Sequence, residues 1–370
     1  MTSPRPIYEF GMHFDPSAGG ADRYFHGLVQ SLQQNDIPCT ALAFGTPARE
    51  ATNSVSLGRP DAPLLQRLQA IRQAAQFPEG ATIATHFALY AAALPSLRKH
   101  THVVHFHGPW ATESAREGQS PLVVAAKRWI EKRVYHSARR LVVLSGAFQD
   151  VLVQDYQIPA ERIRIIPGGV DTERFRPLPR KAARQKLGWP ENARLILCVR
   201  RLVKRMGIST LIESFAAIRH EHPDALLVIA GRGPLEGELR EVAQSAGVGD
   251  QVIFAGFIPD EDLPAAYSSA DFSIVPSEAL EGFGLTTLES LACGTPVLVT
   301  PVGGLPETVS SLDPSLILGS SDVPAITAGV QRGLTQPLPP TEACRAYAES
   351  HFAWRLIARR VAATYEEAAA

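Results

Sequence analysis

Cysteine is scarce in this chain. Cys39, Cys198, Cys293 and Cys344 lie far apart, so they suit neither a disulfide framework nor a metal-ligand set, and a reduced compartment is the simplest inference. Long apolar runs are absent too. Nothing approaches the roughly 18 residues of a membrane span, and the opening Met-Thr-Ser-Pro-Arg-Pro lacks a signal-peptide apolar core. A cytoplasmic protein is expected, with the inner face of the membrane as its one other station. Neither sign of charge dominates, since 36 lysines and arginines meet 37 acidic residues for a net charge of −1, and this excludes bulk attraction to nucleic acid. Short repeats and low-complexity tracts are missing. What is present is 370 residues with 45% hydrophobic content, enough for two domains with separate cores.

Short apolar or β-branched runs alternate with helical patterns, as in parallel sheets covered by helices. The first half offers strands at Ile7–Phe10, Cys39–Phe44, Thr82–Thr85, Val103–His107, Leu141–Leu144 and Ile163–Ile166. The second offers Leu195–Val199, Leu226–Ala230, Val252–Ala255, Phe272–Val275, Val297–Thr300 and Leu316–Leu318. Helices are expected at Asp22–Gln33, Val123–Ser137, Ser209–Arg219, Leu235–Ala246 and Leu285–Ala292. The fold class is therefore α/β, with two doubly wound, Rossmann-like domains. Pro167-Gly168-Gly169-Val170-Asp171 and the proline-bearing segment after it read as the linker. Ligands of such a protein are expected at the carboxyl ends of strands, in a cleft between the domains.

Several loops at those ends carry chemistry. Glu281-Gly282-Phe283-Gly284-Leu285-Thr286-Thr287-Leu288-Glu289 sets two carboxylates across a glycine-hinged turn into a helix. Free amides of Phe283, Gly284 and Leu285 at the positive helix end would hold a diphosphate. Glu289, about 8 Å along the axis at 1.5 Å per residue, can accept hydrogen bonds from vicinal hydroxyls such as those of a ribose. Such turns also serve structure alone, and the two glutamates can act simply as dipole partners. Gly19-Gly20, opening a helix after the first strand, lets backbone approach an anion. His107 ends a strand before the sharp Gly108-Pro109 turn and Trp110, whereas His105, deeper in that strand, is assigned to packing. Arg200, Arg201, Lys204 and Arg205 place four cations in six positions at a strand end.

Taken together, Gly19-Gly20, His107-Gly108, Pro167 to Asp171, Arg201-Leu202-Val203, Ala230-Gly231-Arg232-Gly233-Pro234, Ala255-Gly256-Phe257, Pro276-Ser277 and Glu281 through Glu289 resemble the family 4 retaining glycosyltransferases of GT-B fold. The likeness covers nearly the whole chain in motif order. It implies an acceptor-side domain over 1–170, a nucleotide-sugar domain over 171–350, and a helix over 351–370 crossing back to the first domain. By this resemblance Arg201 binds the donor diphosphate, with Gly19, Gly20, Gly282, Phe283, Gly284 and Leu285 around it. Glu289 holds the ribose, Glu281 the donor sugar, and backbone at Gly256 and Phe257 the base. His107 lines the donor-sugar and acceptor side, and Arg23, Tyr24 and Trp110 are candidate acceptor contacts. Catalysis would fall to His107, Glu281 and Arg201.

One departure stands out. The family reads Arg-x4-Lys-Gly in this loop, but Met206 follows Arg201 by five positions. Arg205 is expected to replace the lysine, and Arg200 with Arg205 repeats the spacing one residue earlier. The reaction implied moves a hexosyl unit from a nucleotide-diphosphate sugar to a hydroxyl of a saccharide, lipid-linked or small-molecule acceptor. UDP-hexose is the preferred donor and GDP-mannose the alternative. No cofactor is implied beyond the donor as co-substrate, no Asp-x-Asp metal site is read, and activity without a divalent cation is expected. An epimerase is disfavoured by the glutamate pair and a pyridoxal phosphorylase by the lack of lysines, while an impaired sugar-nucleotide-binding protein is the alternative of another class. The basic amphipathic segment Lys127–Arg140 suits either anionic lipid headgroups or ordinary packing, and the spacing of Ile130 and Val134 favours packing.

Overall fold

The computed structural model describes residues 5–47, 53–95 and 97–370. The chain forms two compact units, one of residues 1–169 with 354–370 and one of residues 170–353.

Among the described residues the first unit holds seven parallel strands: β1 (Ile7–His13), β2 (Cys39–Phe44), β3 (Ser54–Ser56), β4 (Thr82–Thr85), β5 (Thr101–Phe106), β6 (Arg140–Val143) and β7 (Ile163–Ile165). Their order is β3-β2-β1-β4-β5-β6-β7. The interior strands are apolar because both faces lie under helices; Phe10, Leu42, Ile83, Val104, Leu141 and Val143 share one core. The second unit has β8 (Arg194–Val199), β9 (Ala225–Ala230), β10 (Val252–Gly256), β11 (Phe272–Val275) and β12 (Val297–Val299), ordered β10-β9-β8-β11-β12 and all parallel. In each sheet the winding reverses once, between β1 and β4 and between β8 and β11. The carboxyl ends there are where such sheets bind ligands.

Three local expectations change. β3 is an addition, because Ser54-Val55-Ser56 is a polar edge strand without an apolar run to announce it. Leu316–Leu318 is a 3-10 turn over Pro314–Leu316 followed by a single bridge, Val299 to Ile317, rather than a strand. β5 stops at Phe106, so His107 lies just past the strand.

The helix Trp354–Ala369 belongs to the first unit and packs on the helix Gly20–Gln34. Its Tyr365 is fully buried and donates to Glu9 Oε1 at 2.6 Å. The four cysteines are buried and unpaired. No helix among the described residues is long and apolar enough to cross a membrane.

Candidate functional site

In the second unit, β8 and β11 are neighbours, so the loops leaving them meet. Arg200 follows β8 and Ser277 to Glu281 follow β11. The Arg200 guanidinium is 7% exposed and the Glu281 carboxylate 12%, and Nη2 of the first donates to Oε2 of the second. The same Nη2 lies 2.7 Å from Ser277 Oγ, which itself donates to Glu281 at 3.0 Å. Nη1 reaches Thr286 Oγ1 at 3.4 Å, on the first turn of the helix Leu285–Ala292. The Nε of Arg200 is buried without a protein partner. A buried donor left over beside a helix N-terminus is a place for an anion's oxygen.

Arg200 Nη2 also lies 2.9 Å from Met206 Sδ. The cation beside Met206 is therefore Arg200, while the Arg205 guanidinium, expected there, donates instead to Leu280 O at 3.0 Å. Leu280 adopts φ 53°, a left-handed conformation that a leucine enters at a cost of about 1–3 kcal/mol. Such strain next to Glu281 fits a loop held for function. Arg201, the expected diphosphate ligand, is exposed at the same loop.

Close backbone contacts fix this geometry. A Cβ on Gly231 would stand 1.9 Å from Arg200 O, and one on Gly303 would stand 1.8 Å from Glu281 O. Both glycines have positive φ, so side chains are excluded twice over. Gly284, at φ 84°, caps the helix Leu285–Ala292, whose first amides have no partner within the helix. Phe283 is buried against Phe352, so only its backbone is available. Glu289 is 4% exposed, and its Oε2 accepts from Tyr267 at 2.9 Å. Gly256, at φ 67°, faces open space, and Phe257 is 49% exposed with Arg232 over its ring at 5.5 Å.

In the first unit, Gly19 precedes the helix Gly20–Gln34, and a Cβ on Gly20 would meet nothing within 4 Å. Asp22, in its first turn, is buried and accepts from His13 N at 3.0 Å, which ties the end of β1 to the helix. Its carboxyl is pushed up by burial, against the pull of His13. Trp110 is partly exposed beneath Lys127, with Nζ 4.5 Å from its ring, and Arg23 is partly exposed. Tyr24 requires correction as an acceptor contact. It is fully buried among His86, His105, His107 and Trp354, because the apolar face of its helix turns it inward.

The assignment of His105 to packing omits its polar partners. Glu9, His86 and His105 lie in one buried cluster with ligand-type atoms within 4.8 Å of one another. Every one of those side chains is hydrogen-bonded: His86 Nε2 to Glu9 Oε2 at 3.0 Å, His86 Nδ1 to His107 Nε2 at 2.9 Å, His105 Nε2 to Tyr365 Oη at 2.6 Å. A signal was available, since Glu9 interrupts an otherwise apolar strand. Burial raises the Glu9 carboxyl and pushes His86 down to about 3. Burial, together with the neighbouring His86, holds His107 well below its ordinary value. Asp260-Glu261-Asp262 does spell Asp-x-Asp, contrary to the expectation of no such motif. Its outer carboxylates are ion-paired, Asp260 with Arg174 at 3.1 Å and Asp262 with Lys186 at 2.5 Å.

The Glycosyltransferase Family 4 model matches residues 18–174 and the Glycosyl transferases group 1 model matches residues 179–351. The chain is 35% identical over 214 residues to a GDP-mannose-dependent alpha-(1-6)-phosphatidylinositol monomannoside mannosyltransferase of Mycolicibacterium smegmatis, covering 55% of this chain and 56% of that protein. It is 36% identical over 229 residues to a D-inositol 3-phosphate glycosyltransferase of Acidothermus cellulolyticus, covering 60% and 48%. The chain thus spans about half the length of these curated relatives. In structure it is similar to sucrose-phosphate synthase from Thermosynechococcus elongatus, a GT-B protein, with a TM-score of 0.81, 24% identity and 98% coverage of both chains. With the two family models meeting end to end across both parallel-sheet units, the protein belongs to the family 4 glycosyltransferases.

Proposed function

We propose that the protein transfers a hexosyl unit, with retention at the anomeric carbon, from a nucleotide-diphosphate sugar to a hydroxyl acceptor. The observation that carries this reading is the buried Arg200–Glu281 pair at the start of the helix Leu285–Ala292. A diphosphate beside that helix meets free amides, the Arg200 Nε that no protein atom satisfies, and the exposed Arg201. Glu281, released from Arg200 by the phosphate's charge, accepts from a sugar hydroxyl. Glu289 holds the ribose, and the backbone at Gly256 and Phe257 meets the base.

In the reaction the bond from the anomeric carbon to the phosphate oxygen breaks and a bond to the acceptor oxygen forms on the same face. The acceptor's hydroxyl proton passes to the departing phosphate. Charge growing on that phosphate is met by Arg200, Arg201 and the helix amides, and preorganised donors of this kind supply more of an enzyme's rate acceleration than any other single device. This set needs no divalent cation and no further cofactor. By the motif resemblance His107 is assigned to the substrate, with Arg23 and Trp110 as candidate acceptor contacts. The acceptor is a saccharide, a lipid-linked sugar or a small polyol, and the protein works in the cytoplasm or at its membrane face.

Frequency of use within the family favours a UDP-hexose donor, whereas the M. smegmatis relative is named for GDP-mannose, which places that donor first among those to test. The experiment is a thermal-shift and nucleotide-release screen with GDP-mannose and UDP-, ADP- and dTDP-glucose, each with and without chelator. The expected result is stabilisation by one nucleotide series, lost in Glu289→Gln, with slow release of the diphosphate that chelator leaves unchanged. Binding without turnover on any acceptor would reduce the protein to a sugar-nucleotide-binding one, and rescue of a chelated enzyme by manganese would end the metal-free mechanism.

A further inference from the structure

At the carboxyl ends of β4 and β5 three imidazoles stack. His86 and His105 have ring centroids 4.4 Å apart at 10°, and His86 and His107 5.2 Å apart at 15°. Beneath them, on β1, sits the fully buried carboxylate of Glu9. These strands are adjacent, so three residues distant in sequence share one layer.

The contacts form an unbroken line. Tyr24 Oη is 3.3 Å from His105 Nδ1, His105 Nε2 is 2.6 Å from Tyr365 Oη, and Tyr365 donates to Glu9 Oε1 at 2.6 Å. On the other side Glu9 Oε2 is 3.0 Å from His86 Nε2, and His86 Nδ1 is 2.9 Å from His107 Nε2. Buried polar groups must each be satisfied, and a neutral imidazole has one donor and one acceptor nitrogen. Tyr365 gives its only proton to the bond with Glu9, so His105 must donate from Nε2 and accept at Nδ1 from Tyr24. In its ionised form, which the Tyr365 hydrogen bond favours and burial opposes, Glu9 accepts at its second oxygen from His86 Nε2. This makes His86 Nδ1 an acceptor, and its partner can only be the Nε2 proton of His107. Every contact then has one donor and one acceptor, and all arrows run toward Glu9.

His107 is the one imidazole of the three that is only partly buried. We infer that Glu9 and His86 are positioning residues for His107: they hold its ring and fix its proton on Nε2, so that Nδ1 is presented to substrate as a hydrogen-bond acceptor. This rests on the proposed placement of His107 on the substrate side. A metal ion on Glu9, His86 and His105 is the competing use of the same atoms. It would have to break the bonds that Tyr365 makes to Glu9 and His105 and that His86 makes to Glu9 and His107.

The test begins with the wild type. Two-bond proton–nitrogen NMR correlations assign the His107 tautomer, and the expected form carries its proton on Nε2; a proton on Nδ1 overturns the inference. Metal analysis of the purified protein is expected to find none at this cluster, and stoichiometric metal lost in Glu9→Gln overturns it as well. In His86→Phe, which keeps the stacked ring and removes both hydrogen bonds, the tautomers of His107 should mix. Its kcat should fall about tenfold or more with donor KM and the nucleotide thermal shift little changed, and Glu9→Gln should fall in the same direction. A wild-type kcat in a folded His86→Phe protein, alongside an impaired His107→Ala, sinks the relay. An unimpaired His107→Ala sinks instead the functional placement of His107, while the tautomer still decides the relay.

Discussion

Arg200 and Met206 are best understood together. The loop lacks a cation at 206, yet a guanidinium from 200 lies against the methionine sulfur and bonds Glu281 and Ser277. The charge enters from a different backbone position and arrives at the same side chain. Arg200→Ala should therefore lower turnover about a hundredfold or more, the size expected for losing one preorganised donor to the leaving group. Because position 206 already points at that space, Met206→Lys in the Arg200→Ala background should restore a large part of the rate. The measurement is kcat for both variants on the preferred donor, with a thermal melt to establish folding. An unimpaired Arg200→Ala would show that the pair with Glu281 is structural. Arg205, expected from its place in the sequence, is held by Leu280 O. The sequence shows four cations and says nothing of which one turns inward, since that depends on what each guanidinium finds to bond.

At the scale of elements, the helix Pro121–Ser137 has two different faces. One buries Glu131, Val134 and Tyr135, with Glu131 accepting from Tyr156 at 2.8 Å, in keeping with the spacing of Ile130 and Val134. The other leaves Leu122 84% and Trp129 63% exposed near Arg128, Lys132 and Arg133. Packing therefore accounts for one side only, and exposed apolar residues among cations suit an anionic bilayer surface. Vesicles with anionic lipid should retain the protein, and Leu122→Glu with Trp129→Glu should release most of it. Equal sedimentation of the two would remove the membrane from the proposed setting. The strands were readable because fully buried parallel strands are written as apolar runs. Ser54–Ser56 was not, because an edge strand takes its order from β2 rather than from its own residues.

At the scale of the whole molecule, the buried imidazoles set a limit on acid stability. His86 and His102 are both pushed down to about 3 by burial. Below about pH 6.5 the unfolded chain takes up protons at these rings and the folded chain does not, so stability falls as pH falls through that window. Glu9, Asp22 and Glu131, all raised by burial, act in the opposite sense. Their effect cancels in a comparison with a single imidazole removed. His102, bonded to Thr85 at 2.9 Å and remote from the proposed chemistry, is the residue to use. The drop in urea midpoint from pH 7.5 to 5.5 should be smaller in His102→Asn than in the wild type, and an unchanged drop would mean that His102 titrates normally.

Two parallel-sheet units and the loops that carry glycine, arginine and glutamate at strand ends were legible in the sequence, because hydrophobic periodicity is local and repeated many times over. Only the folded chain decided which side chains those loops present. Tyr24 was a candidate acceptor contact until its helix turned it into the core, and Glu289 was an acceptor for vicinal hydroxyls with no sign in the sequence that Tyr267 bonds one of its oxygens. The line from Glu9 to His86 joins residues 77 apart, and that from Glu9 to Tyr365 joins residues 356 apart. No window of sequence contains both ends of such a contact. Burial makes each of these polar groups find a partner, and which partner it finds is a property of the tertiary structure alone.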